Sequence, residues 1–133
     1  MKLSWNEFDA LCIYLSNQIK QCGKKYSGVA GMPRGGLPLA VTLSHRLNLP
    51  YFSIQSAPKD CLIVDDINDS GATMKWMAEE GYDTAVLLTR HSSPVKTTFS
   101  GGVVMDDNWV EFPWEQSLED SMLEYKKGLY AVH

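Results

Sequence analysis

A chain of 133 residues has room for one hydrophobic core, and its 44% apolar and 21% charged residues are those of a folded protein. The formal charge of -4, with Lys and Arg scattered, argues against the broad basic face that duplex nucleic acid requires. No run is apolar for long enough to span a bilayer, and "MKLSWNEFDA" turns polar too early for a secretory signal. Cys12, Cys22 and Cys61 form an odd, widely spaced set without a CxxC pair, which reads as buried free thiols and a cytoplasmic location.

In chain order, Ser4 and Glu7 make a capping-box pattern, and Phe8, Leu11, Leu15 and Ile19 recur at helical spacing toward a stop near Gly23. "YSGVAGM" holds a short strand over about Gly28 to Ala30. After the turn "MPRGGLP", a helix offers Leu37, Val41 and Leu47 to one face, with Pro38 tolerated in its first turn. "YFSI" is a second short strand. "CLIVDD" is a third, without alternation, as expected of an interior strand covered on both sides. "ATMKWMAEEG" is a helix closed by Gly81, in which Met74, Met77, Ala78 and Trp76 are expected to pack, as Trp5 is in the first helix. "TAVLLT" is a fourth strand. Beyond Arg90 the pattern weakens through "HSSPVKTTFSGG" and "VVMDDNWVEFPWE", and "SLEDSMLEYKKGLYAVH" is expected to be a terminal helix. Helices alternating with strands predict an α/β fold, a small three-layer sandwich on a mostly parallel sheet, in a single domain over residues 1–133.

The chemistry gathers at "CLIVDDINDSGATM". In an open α/β sheet, ligands collect beyond the carboxyl ends of strands, where "CLIVDD" delivers Asp65 and Asp66. "NDSGAT" then leads into a helix whose first N–H groups lack intrahelical partners and suit an anion, with Ser70 and Thr73 adding hydroxyls. Carboxylates beside a phosphate loop make sense for a ligand carrying both a phosphate and a diol, or for a bridging Mg²⁺. An aspartate pair that ends a strand and caps a helix is also an ordinary local arrangement. The motif is neither GxxxxGK[ST] nor GxGxxG, and the acidic pocket of a receiver domain or phosphatase would need acids from further strand ends. A second turn, "AGMPRGG", joins a strand to a helix; Arg34 can fork onto oxygens, and Gly35 and Gly36 permit close backbone approach.

On these motifs the chain resembles the type I phosphoribosyltransferases. "LIVDDINDSGAT" is similar to that family's signature for phosphoribosyl pyrophosphate, and "GMPRGG" to its pyrophosphate loop. "LSWNEFDALCIYLSNQI", "PRGGLPLAVTLSHRLNLP" and "NWVEFPWE" resemble the bacterial xanthine-guanine branch, over about Leu3 to Glu115.

The resemblance implies transfer of 5-phosphoribose to a 6-oxopurine (guanine, xanthine or hypoxanthine), with Mg²⁺ present and pyrophosphate released. It implies that Asp65 and Asp66 hold the ribose hydroxyls directly or through water and metal, that Asp69 accepts the purine proton, and that Ser70, Gly71, Ala72 and Thr73 cradle the 5′-phosphate. Arg34 and Gly35 would meet the pyrophosphate, Arg90 the 6-oxo group, Trp109 the base face, and Val110 and Glu111 the exocyclic position. Local readings stand beside these: Arg90 as a strand-end charge, His91 as a surface histidine, Trp109 and Trp114 as core or interface aromatics. A homodimer or larger homo-oligomer is also implied.

The pattern departs from the family in two places. Only eleven residues, "PYFSIQSAPKD", separate Leu49 from Cys61, where the family carries a long mobile lid. Asn68 stands where the branch usually has an apolar residue. The expected fold is therefore phosphoribosyltransferase-like with a reduced hood and lid. Two alternatives follow: a noncatalytic domain that binds a phosphoribosyl compound or nucleotide, and a transferase for another nucleobase.

Overall fold

The computed structural model describes residues 1–115, so the expected terminal helix lies outside the described residues. Two compact units are distinguished among the described residues: Asp9–Asp107, and Met1–Phe8 together with residues 108–115.

Helix α1, Trp5–Gln21, starts as its sequence dictates. The Glu7 N–H donates to Ser4 Oγ at 3.1 Å and the Ser4 N–H donates to Glu7 Oε1 at 2.9 Å, satisfying two end groups reciprocally. Those bonds hold the Glu7 carboxyl below its usual pKa. Cys12, Leu15 and Ile19 form the buried stripe.

The larger unit is built on five strands: β1 (Val29–Gly31), β2 (Tyr51–Phe52), β3 (Leu62–Asn68), β4 (Asp83–Arg90) and β5 (Phe99–Val104). They run in the order β2-β1-β3-β4-β5, and every pairing is parallel. Between them lie α2 (Leu37–Leu47) and α3 (Ala72–Glu79). The fold is thus the expected α/β type, with a wholly parallel sheet. Leu62, Ile63 and Val64 are fully buried, which accounts for the unbroken apolar run of β3; burying each such side chain stabilises the fold by about 1.5–3 kcal/mol. Ala30, Cys61, Ile63 and Met77 form one core cluster, capped by Met32, Phe52, Ile54, Ala57 and Tyr82.

Several expectations are corrected. The buried face of α2 is Leu39, Ala40 and Leu43, whereas Val41 is exposed, because the helix is rotated by about one residue from the assumed face. In α3, Met74 and Met77 pack as expected, but Ala78 and Trp76 face solvent. Trp5 is 55% exposed, although its ring meets Phe8 edge-on at 5.6 Å. Cys22 is exposed, while Cys12 and Cys61 are buried. The second strand stops at Phe52, since residues Ile54–Ser56 turn into a 3-10 helix.

In the terminal unit, the Leu3 N–H donates to the Glu111 carbonyl and the Glu111 N–H to the Met1 carbonyl, each at 2.8 Å. Phe8, Phe112 and Trp114 cluster there, with Phe112 stacked on Trp114 at 5.0 Å.

Candidate active site

From β1 the chain moves outward to β2, and from β3 it moves the opposite way to β4. The turns after β1 and β3 therefore diverge at the point where the strand order reverses, which opens a crevice at the carboxyl ends of those strands. Both motifs singled out in the sequence leave the sheet here.

The turn after β1 contains a cis Pro33–Arg34 peptide bond. A Cβ at Gly35 would strike the Asp66 carboxylate, and one at Gly36 would lie 2.6 Å from the Val64 carbonyl oxygen. Only glycines let this turn lie against the end of β3. The structure thus brings the "MPRGG" turn onto the acidic pair. Arg34 is exposed in that turn.

Strand β3 runs two residues beyond the expected end, through Asn68. Asp65 and Asp66 are therefore strand residues, both half-buried. The Asp66 N–H donates to Asp65 Oδ1 at 2.8 Å and the Ile67 N–H to Asp66 Oδ1 at 2.7 Å. Burial, reinforced by the Asp66 charge, pushes the Asp65 carboxyl up to about 7. The pair therefore favours whatever relieves its mutual repulsion: a proton, donated hydroxyls or a cation. Among the described residues no group of three or more His, Cys, Asp or Glu side chains converges on one point. A metal here would rely on water and ligand oxygens as well as the two carboxylates, and Mg²⁺ accepts that coordination.

Beyond β3, Gly71 turns the chain with φ +91° and α3 begins at Ala72. Residues Ile67 to Met74 line a cavity of about 100 Å³, sized for a small group and not for a whole nucleotide. Ser70 and Ala72 are exposed and Thr73 half-buried on that loop, with the Ser70 hydroxyl accepting from the Ala72 N–H at 3.3 Å.

Arg90, at the end of β4, is buried. Its Nε donates to Asp69 Oδ1 at 3.1 Å and its Nη1 to the Asp106 carbonyl at 2.8 Å. The structure joins the base-reading candidate to the proton-accepting candidate. Sequence reasoning anticipated both residues but not this pair, which follows from the register that sets Asn68 beside Thr89.

Trp109, Val110 and Glu111 belong to the terminal unit. Trp109 is 75% exposed and its carbonyl accepts from the chain's amino terminus at 2.9 Å; Val110 is buried, and Glu111 is bonded through its main chain as described above. A larger cavity, about 410 Å³, is lined by Ile19, Lys20, Lys24, Tyr26, Leu47 and Leu49. It includes neither the acidic pair nor the Ser70–Thr73 loop.

No family model matches the chain. Xanthine-guanine phosphoribosyltransferase of Idiomarina loihiensis is 27% identical over 87% of this chain and 87% of its own length. The chain is a homologue of the xanthine-guanine phosphoribosyltransferases. Its fold is that of the type I phosphoribosyltransferases. The structure of the Helicobacter pylori xanthine-guanine-hypoxanthine phosphoribosyltransferase superposes with a TM-score of 0.77 at 22% identity, covering 92% of this chain and 97% of that one. A Neisseria gonorrhoeae hypothetical protein solved with bound ppGpp gives a TM-score of 0.74 at 20% identity, over 100% of this chain and 98% of that one. No helix among the described residues of this phosphoribosyltransferase homologue is long and apolar enough to cross a membrane.

Proposed function

We propose that this phosphoribosyltransferase homologue transfers 5-phosphoribose from phosphoribosyl pyrophosphate to a 6-oxopurine, with Mg²⁺, releasing pyrophosphate and forming the nucleoside monophosphate. The observation that supports the reading is the contact of the Gly35 turn with Asp66, which sets a turn suited to anions beside the acidic pair.

In that reading Asp65 and Asp66 accept hydrogen bonds from the ribose hydroxyls, and the phosphate loop from Ser70 to Thr73 holds the 5′-phosphate. As pyrophosphate departs, the anomeric carbon gains positive charge, which the two carboxylates favour, while Arg34 favours the negative charge on the leaving group. Magnesium, when bound, would add a Lewis acid at the pyrophosphate oxygens. Asp69 takes the proton that the attacking ring nitrogen loses, and Arg90 steadies that carboxylate. Arg90 reads the 6-oxo edge of the base; the family resemblance assigns the base face to Trp109 and the exocyclic position to Val110 and Glu111.

The short β2–β3 connection favours a second reading. Tyr51–Phe52 passes through Ile54–Ser56 to Leu62 with no room for a long lid, and a fold neighbour was solved with bound ppGpp. A domain that binds a phosphorylated nucleotide without turning it over would need no lid. Pyrophosphate release from phosphoribosyl pyrophosphate and Mg²⁺, measured against a panel of nucleobases, separates the two. Release dependent on one 6-oxopurine supports the transferase. Release dependent on a different base supports another transferase. Tight binding of ligand without release under any base supports the binding domain.

A further inference from the structure

Asn68 is 1% exposed, and a buried amide is costly unless its hydrogen-bonding groups are satisfied. Both ends of this one are satisfied by a single segment, the connection between β4 and β5. Its Nδ2 donates to the Val95 carbonyl at 2.7 Å, and its Oδ1 accepts from Ser93 Oγ at 3.1 Å. An apolar residue would fill the same space without the desolvation penalty, so packing alone does not explain an amide here.

The same segment meets the loop again three residues later. A Cβ on Gly71 would lie 2.7 Å from Val95 Cγ2 and 3.1 Å from Ser93 Oγ, so the turn and the segment are in close contact. Arg90, where the segment begins, holds Asp69 between those two points. Asn68, Asp69 and Gly71 are thus tied in succession to residues Arg90 to Val95. Ser93 is itself fixed, since its N–H donates to the Arg90 carbonyl at 2.9 Å and its hydroxyl approaches the Val95 carbonyl at 3.3 Å.

We propose that Asn68 is a positioning residue that latches the β4–β5 connection onto the phosphate loop, so that Ser93 and Val95 brace the arch from Asp69 to Gly71 in its ligand-binding shape. The inference rests on the phosphate-loop reading above. It assigns to a fixed brace part of the ordering that a long lid would otherwise provide when it closes. Preorganisation of this kind acts on affinity by removing the cost of ordering the loop when ligand arrives. The expected signature is selective: recognition of the sugar phosphate weakens and recognition of the base does not.

The test uses the full chain and two variants, Asn68→Val and Ser93→Ala. Ser93 is only half-buried, so its variant keeps the fold and the Nδ2 bond of Asn68 even where Asn68→Val is poorly folded. Binding of ribose 5-phosphate by calorimetry probes the loop without any base chemistry. Amide exchange over residues 91–98 reports whether the latch has opened, and steady-state kinetics gives KM for phosphoribosyl pyrophosphate and for guanine separately. Asn68→Val should accelerate exchange over 91–98 and raise both the ribose 5-phosphate Kd and the phosphoribosyl pyrophosphate KM by about five- to fiftyfold, the range expected for lost buried hydrogen bonds. The guanine KM should stay within about twofold, and Ser93→Ala should shift the same quantities by less. Accelerated exchange with an unchanged ribose 5-phosphate Kd overturns the proposal, as does unchanged exchange in both variants. A parent protein that fails to bind ribose 5-phosphate overturns the phosphate-loop reading itself, and the latch with it.

Discussion

The Arg90 guanidinium donates from Nε to Asp69 Oδ1 across 3.1 Å, from a side chain that is 7% exposed to one that is 56% exposed. The buried cation is the constrained partner and the carboxylate is the one free to meet solvent or ligand. Because Arg90 also reaches the Asp106 carbonyl at 2.8 Å, two of its donors are committed to separate acceptors. A lysine ammonium matches the charge but not that planar fork. Arg90→Lys is expected to cost about 1.5–3 kcal/mol in urea unfolding, the range for a hydrogen bond to a charged group. It should also raise KM for the purine more than KM for phosphoribosyl pyrophosphate. Equal changes in the two KM values would remove Arg90 from base recognition.

Asp69→Asn preserves an oxygen for Arg90 while removing the proton acceptor. Turnover should fall by roughly ten- to ten-thousand-fold, the span of general-base contributions, with little change in phosphoribosyl pyrophosphate affinity. Single-turnover kinetics at saturating substrates provides the measurement. Turnover equal to that of the parent would end Asp69's assignment as base.

The raised Asp65 pKa carries a signed prediction for stability. In the unfolded chain Asp65 ionises near an ordinary aspartate value of about 3.9, whereas in the folded chain it ionises at about 7. Between those values the folded state binds more protons than the unfolded one, so stability falls as pH rises through the window. The full cost is present above pH 7 and absent below about pH 4. Urea midpoints for the parent and Asp65→Asn, taken in chelator from pH 5 to pH 8, should diverge with rising pH, the variant becoming the more stable. Parallel curves would show that Asp65 ionises normally.

Gly35→Ala tests the contact between the two anion-binding turns. Its new methyl group would meet the Asp66 carboxylate, so either the turn or the acid must move. Overpacking of this kind costs about 1–3 kcal/mol. Pyrophosphate binding should weaken by at least about tenfold, because the turn is displaced from the crevice. Calorimetric titration of pyrophosphate with Mg²⁺ checks it, and unchanged affinity would separate the turn from pyrophosphate recognition.

Much of this arrangement was legible in the chain. The unbroken run of β3 and the capping box at Ser4 are legible in the sequence alone, whereas the glycines after β1 answer to the neighbouring strand, whose Asp66 and Val64 they approach. Strand β5 was not read, because Ser100, Gly101 and Gly102 dilute the apolar signal. Its glycines answer to a tertiary demand: a Cβ at Gly101 would lie 2.5 Å from the Leu87 carbonyl oxygen and 3.3 Å from Leu11 of α1. The exposure of Trp76 and Val41 was likewise invisible, since helical spacing gives a periodicity but not the rotation that packing selects. The candidate residues from Asp65 to Thr73 lie in one continuous motif, which makes them legible in the sequence. The tie from Asn68 to Val95 joins positions 27 apart and has no signature in either stretch.

The short passage from β2 to β3 bears on the fidelity of the proposed transfer. A cationic sugar centre has two nucleophiles to choose from, the purine nitrogen and water, and a site open above the crevice leaves the second at high concentration. The expected consequence is imperfect commitment: pyrophosphate formed in excess of nucleotide, with free ribose 5-phosphate making up the difference. Grafting a longer loop between Phe52 and Leu62 should bring the two product yields toward equality. Such a leak would be self-limiting where purine is plentiful and wasteful where it is scarce, so the length of one surface connection would set the conditions under which this protein works economically.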